Sequence, residues 1–183
     1  MESSENISGA VKKFNEIAAD RETIIIRHAE MSDVEDLAAV EAACFPAAEA
    51  ATAEEIRDRV QVYGDHFWIL EKDGKVISFV DGFVTDIRDL TDEMYEKASM
   101  HDAGGAWQML FGVSTMPEAR KKGYAGQLIR RLIAQAREEN RKGVVLTCKD
   151  RLVKYYSTFG FKDEGVSEST HGNVVWHQMR LVF

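Results

Sequence analysis

Apolar and polar positions follow two rhythms along this chain, and the switches between them outline an order of elements. The run TIIIRHA (23–29) is β-rich and predicts a first strand. Ser32 or Asp33 can then cap a helix that turns Val34, Leu37, Val40 and Cys44 to one side, until Pro46 ends it. Thr52 predicts a second helix start: Glu55 completes a capping box, and Ile56 and Val60 form the apolar stripe. In HFWILEKDGKVISFVDGFV two apolar runs flank Asp73-Gly74, the pattern of a β-hairpin. Residues 86–105 are acidic, close on Gly104-Gly105, and read as a loop with a short helical piece. AWQMLFGVST reads as a buried strand. Residues 124–140 read as a helix with Leu128, Ile129, Leu132, Ile133 and Ala136 inward. GVVLTC is a further strand, DRLVKYYSTFG a helix closed by Gly160, and FKDEGV and NVVWHQMRLVF are final strands. The order βααβββαβαββ predicts a mixed α/β sheet with helices on both faces. Residues 1–20, where Val11, Phe14 and Ala18 share a face, read as a short appended helix or loose tail.

Composition narrows the possibilities. The chain has 183 residues, 45% apolar and 30% charged, which suits one globular domain. No apolar run approaches the roughly 18 residues of a membrane helix, and MESSENISGAVKKF lacks a signal-peptide core. Cys44 and Cys148 are too few for a disulfide scaffold, so a cytoplasmic protein is expected. No Cys/His cluster has metal-ligand spacing, and no metal is expected. A net charge of −8 argues against a nucleic-acid partner. That charge is uneven: residues 120–154 hold eleven Lys/Arg against three Asp/Glu, so one region is strongly basic within an acidic chain.

The basic region contains GVSTMPEARKKGYAGQLIRRLIAQA (112–136), where a strand meets a basic triplet, small residues and then a helix. A helix start carries unpaired N–H groups and partial positive charge. Gly123, Ala125 and Gly126 leave room for a phosphate to reach that backbone, and Arg120, Lys121 and Lys122 add neutralising charge. Neither GxxxxGK[ST] nor GxGxxG is present, which disfavours a nucleotide hydrolase and a dinucleotide enzyme. A plain turn onto a surface helix would use similar residues, so the loop alone leaves both readings open.

VSTMPEARKKGYA, from Val113 through Pro117, Arg120 and Gly123 to Ala125, resembles the acetyl-CoA signature of the GNAT superfamily of N-acetyltransferases. YYSTFGF (155–161) resembles the second signature of that family, a tyrosine-bearing helix ending in Gly-Phe. The resemblance implies the GNAT acyltransferase fold, a mostly antiparallel central sheet of about six to seven strands, over residues 21–183 as a single domain after the extension 1–20. Acetyl-CoA is then the co-substrate. Val113, Ser114 and Thr115 would contact its pantetheine arm and acetyl group. Arg120, Lys121, Lys122, Gly123, Tyr124, Ala125 and Gly126 would bind its pyrophosphate. Tyr156 would protonate the leaving thiolate, a transfer that a phenol protonated at neutral pH can make. Tyr155 points elsewhere on the helix and reads as core, and Phe159 and Phe161 as packing.

CFPAAEAATAEEI, DLTDEMY, HDAGG, TCKDRLVKYYSTFGF and WHQM are similar, more finely, to the non-vertebrate arylalkylamine N-acetyltransferases. That implies a small amine acceptor such as tryptamine, serotonin, tyramine or phenethylamine. The two catalytic histidines of vertebrate-type members are replaced by Met109 and Phe111. Glu49, in C-F-P-x-x-E, is the first candidate for the base or water-holder, because its position resembles an acidic residue used that way in insect members of the subfamily; Glu41, His101, Asp102 and His177 are weaker ones. Phe45, Pro46, Trp107 and Trp176 could line an apolar amine pocket, since aromatic walls suit an aryl ring or a cation. The alternatives are a GNAT enzyme for a polyamine, amino-acid or peptide amine, a non-catalytic acyl-CoA sensor, and a nucleotide-binding regulator. Whether the chain is a monomer or homodimer is open.

Overall fold

The computed structural model describes residues 22–170 and 173–183; the short helix or tail expected over 1–20 lies outside them. Strand β1 (Ile24–His28) pairs antiparallel with β2 (Phe67–Lys72), and β2 with β3 (Lys75–Asp81). The hairpin turns at Asp73 (φ 51°) and Gly74 (φ 77°), the left-handed pair that a two-residue loop requires. Short β4 (Val84–Thr85) follows, then β5 (Trp107–Leu110), β6 (Gly112–Thr115), β7 (Gly143–Cys148), β8 (Lys162–Val166) and β9 (His177–Val182).

The strands form two sheets, of order β1-β2-β3-β6 and β4-β5-β7-β9-β8, antiparallel except for the parallel pair β5/β7. The expected α/β class holds, but the strand expected to run unbroken through AWQMLFGVST divides at Phe111 between the two sheets. The segment expected to start a strand at Asn173 joins β9 only from His177.

Helices α1 (Val34–Cys44) and α2 (Ala53–Tyr63) cover one face, sharing a core with Phe67, Ile69, Phe79 and Met109. Thr52 and Glu55 form the expected capping box of α2. At α1 the carboxylate of Asp33 does not cap the helix; it receives both Arg27 nitrogens at 2.8 Å and Glu30 N–H at 2.7 Å. The acidic segment contributes one α-helical turn, α3 (Glu93–Glu96), and a 3-10 turn, Ala98–Met100. On the opposite face α4 (Tyr124–Glu138) buries Leu128, Ile129, Leu132 and Ala136 with Val80, Val144 and Leu146, at about 1.5–3 kcal/mol for each large side chain. The last helix, α5 (Val153–Ser157), is short and is followed by Gly160 at φ 95°. Among the described residues no helix is long and apolar enough to cross a membrane.

Candidate active site

The site begins where the sheets part. Strand β5 pairs with β7 as far as Leu110↔Leu146, whereas β6 pairs with β3 from Gly112↔Asp81 to Thr115↔Ser78. Past Phe111, β6 and β7 therefore diverge and leave a V between them. Antiparallel ladders alternate bonded and non-bonded pairs. Met116 N–H donates to Ile77 at 2.9 Å, so Val113 and Thr115, out of step with it, turn their backbone groups away from β3. The Thr115 carbonyl accepts from Cys44 Sγ at 3.2 Å and Arg120 Nε at 3.1 Å.

Beyond β6 the chain makes the loop into α4. Lys121 (φ 63°) and Gly123 (φ 82°) are both left-handed, a conformation that costs a side-chain-bearing residue about 1–2 kcal/mol. Gly123 occupies the N-cap and no side chain caps the helix, so its first N–H groups keep their anion-receptive character. A groove of about 530 Å³ runs along this loop. Of the residues the resemblance assigns to the cofactor, Val113, Thr115, Arg120, Lys121, Gly123, Tyr124, Ala125 and Gly126 border it. Ser114 and Lys122 do not. Ser114 is fully buried with Oγ 3.0 Å from Glu41 Oε2, and Lys122 is exposed on the loop. Most of the Tyr124 side chain lies in the core beneath. Tyr155, read as core, is 38% exposed and borders the groove.

A second cavity, of about 270 Å³, lies on the other side of the V. Phe111, Gly112 and Val113 wall it from one limb and Thr147 and Cys148 from the other. The turn after α1 supplies Phe45 and Ala48 to Ala51, α2 supplies Glu55 and Arg59, and Tyr95, Glu96 and Trp176 complete it. Phe45, Val113, Leu152 and Tyr156 border both cavities. Tyr156 is 7% exposed, and burial pushes its phenol well above its ordinary pKa. No hydrogen bond joins its hydroxyl to the described residues.

Glu49 and Glu41 both line this second cavity, in different states. Both Glu49 oxygens receive the Lys149 ammonium, at 3.0 and 2.9 Å, and that ammonium lies 5.6 Å from the centre of the Trp176 ring. Glu41 is 6% exposed and accepts from Ala51 N–H at 3.1 Å as well as from Ser114. Burial, and then the nearby Asp81 charge, lift its carboxyl above the ordinary range; Ala51 N–H, Ser114 and Arg59 oppose the rise. Arg59 is paired with Asp81 at 3.2 Å and donates to the Tyr95 carbonyl at 2.9 Å. Glu41, Glu49, Glu55 and Glu96 thus face a cavity whose lining cation, Arg59, is already paired with Asp81, while Lys149 holds Glu49 from outside the lining.

The remaining sequence candidates lie elsewhere. Trp107 packs in the core 4.7 Å beneath the Arg180 guanidinium and borders neither cavity. Pro46 is exposed, and its carbonyl accepts from Glu49 and Ala50 N–H, so it shapes the turn carrying Glu49. Met109 is core; Phe111 packs on Phe83 and Tyr95. His101 accepts from Val84 N–H, Asp102 closes the Gly104 turn, and His177 faces Asp163 and Asp150. Sequence reasoning missed Arg59, Tyr95, Thr147 and Cys148. Only Arg59 left a signal, as a charge on the helical face shared by Ile56, Val60 and Tyr63. Among the described residues no group of three or more His, Cys, Asp or Glu could hold a metal ion.

Sheets that part at one strand, beside an uncapped helix start and a groove, define an acyltransferase-type α/β fold. The chain belongs to the acetyltransferase (GNAT) family, whose model matches residues 34–161. The loading GNATL domain of CurA from Lyngbya majuscula is similar in structure, with a TM-score of 0.76 over 87% of this chain and 98% of that one, at 17% identity. A GNAT family acetyltransferase from Brucella melitensis in complex with acetyl-CoA gives 0.58 over 89% and 90%, at 21% identity. The ribosomal-protein-S18-alanine N-acetyltransferase from Escherichia coli gives 0.65 over 87% and 94%, at 15% identity. At these identities the likeness is one of fold.

Proposed function

We propose that this chain is a cytoplasmic N-acetyltransferase that moves the acetyl group of acetyl-CoA to the primary amine of a small arylalkylamine, by direct attack in a ternary complex. The observation that carries this reading is the meeting of the two cavities at Val113 and Tyr156. A coenzyme held by the α4 loop and lying along β6 would present its thioester there. The amine, entering from the other cavity, attacks the carbonyl carbon; the N–C bond forms, the C–S bond breaks, and Tyr156 returns a proton to the sulfur. Holding both partners at one junction supplies much of the rate through orientation.

Phe45, Phe111, Tyr95 and Trp176 offer aromatic surface, and the excess of carboxylates favours a cationic acceptor. A cavity of about 270 Å³ suits a small amine. Exposed Glu96 at the wall favours a second reading, a polyamine with a further ammonium. Thiol release from acetyl-CoA with phenethylamine, tryptamine, tyramine, spermidine, free amino acids and short peptides decides between them. Preference for the aryl amines is the expected result. Release with spermidine or a peptide alone discards the arylalkylamine, and acetyl-CoA binding without release under any condition favours a sensor.

A further inference from the structure

An amine that arrives as an ammonium must lose a proton before it can attack a thioester, so the acceptor cavity needs a base. Glu49 is poorly placed for this, because both its oxygens hold the Lys149 ammonium. Glu41 lines the same cavity from the last turns of α1, and no ammonium or guanidinium bonds it directly. One oxygen accepts from Ala51, in the turn that walls the acceptor cavity. The other accepts from Ser114, the residue of β6 between Val113 and Thr115, which border the cofactor groove. Each oxygen thus keeps a lone pair beyond its single hydrogen bond.

We infer that Glu41 is the catalytic base, taking the ammonium proton as the amine nitrogen closes on the thioester carbonyl. The inference rests on the N-acetyltransferase reading. Forming the amide releases two protons: one passes to Glu41 and on to solvent, and the other replaces the proton that Tyr156 gives to the thiolate. The charged and titratable groups around Glu41 are Arg59 and Glu55 of α2, Asp81 of β3, Cys148 at the end of β7, Tyr156 of α5, and, across the cavity, Tyr95, Glu96 and Glu49, the last held by Lys149. The upward displacement of its carboxyl by burial brings it closer to the working range of a base at neutral pH.

The test compares the full-length protein with Glu41→Gln, using phenethylamine and its near-isostere O-benzylhydroxylamine, which is uncharged at neutral pH. For phenethylamine kcat/KM should fall by about 10²-fold or more. For the uncharged amine it should fall far less, with acetyl-CoA affinity retained in both. Equal losses for the two amines, or none for either, overturn the role of Glu41 while leaving the enzyme reading in place. No thiol release by the unaltered protein with any amine defeats the enzyme reading itself. Should the glutamine variant not fold, Ser114→Ala replaces it: loss of a donor to the carboxylate should move the acidic limb of the kcat/KM profile to higher pH, and an unmoved limb overturns the proposal.

Discussion

Lys149 lies one hundred positions beyond Glu49, yet its ammonium sits 2.9 and 3.0 Å from the two oxygens of that carboxylate. The pair fastens the turn after α1 to the residue that follows β7. Both side chains are largely shielded, with relative exposures of 9% for Glu49 and 26% for Lys149, so removing one strands the other. Glu49→Gln and Lys149→Met should each lower stability in urea, and the double variant should lose less than their sum, with a coupling of about 0.5–1.5 kcal/mol. Strict additivity would mean that the pair does not hold the turn. With both Glu49 oxygens engaged by Lys149, Glu49→Gln should keep the shape of the pH–rate profile.

Tyr156→Phe separates chemistry from structure. The hydroxyl is hydrogen-bonded to none of the described residues, so its loss should change stability by less than about 0.5 kcal/mol. Turnover should fall by about 10²-fold with acetyl-CoA affinity nearly unchanged. Unaltered turnover in stopped assays of thiol release would remove the phenol from the mechanism.

Gly123→Ala probes the loop into α4. No atom lies within 4 Å of the added methyl, so the effect comes from the backbone at φ 82°. The cost should be about 1 kcal/mol of stability, together with weaker acetyl-CoA binding as the loop relaxes. Calorimetric titration of both proteins measures the second effect, and equal affinities would show that the loop conformation is not needed for binding.

Glu41 also makes a prediction about stability and pH. Its folded pKa is raised above the ordinary 4.5, so the folded state binds the proton more tightly than the unfolded chain does. The stability it contributes is complete below about pH 4.5 and is lost as pH rises through the folded value. Glu41→Gln, neutral throughout, should therefore gain on the unaltered protein as pH rises from about 4 to 8, measured as the difference in Tm. A constant difference across that range would mean that Glu41 pays no desolvation cost.

The groove beside the α4 loop was legible in the sequence because most of its residues are contiguous. Phosphate access needs small residues and charge within one strand–loop–helix segment, and Val113 to Gly126 carry them in order. The second cavity was not. Its walls come from α1, α2, the acidic segment, β7 and the stretch before β9, and only tertiary pairing brings Glu41, Arg59, Tyr95 and Trp176 together. Trp107 illustrates the difficulty. It stands beside the signature in sequence, but it lies on the side of Phe111 where β5 is still paired with β7, opposite Gly143, and so remains in the core. The break itself depends on partners: apart from Gly112, nothing local in the apolar run AWQMLFGVST separates the part that joins β7 from the part that joins β3. Gly112 is the one local trace of it, since a methyl there would lie 2.5 Å from Asp81 Oδ1.

The parting of β6 from β7 leaves an edge strand inside the molecule, facing a groove instead of solvent. A coenzyme lying along Val113 and Thr115 would do there what a neighbouring strand does in an ordinary sheet, so loaded and unloaded protein should differ in resistance to unfolding by RT ln(1 + [L]/Kd). Persistence of the folded chain in a cell would then follow the supply of its own acyl donor, with proteolysis falling first on molecules that have none.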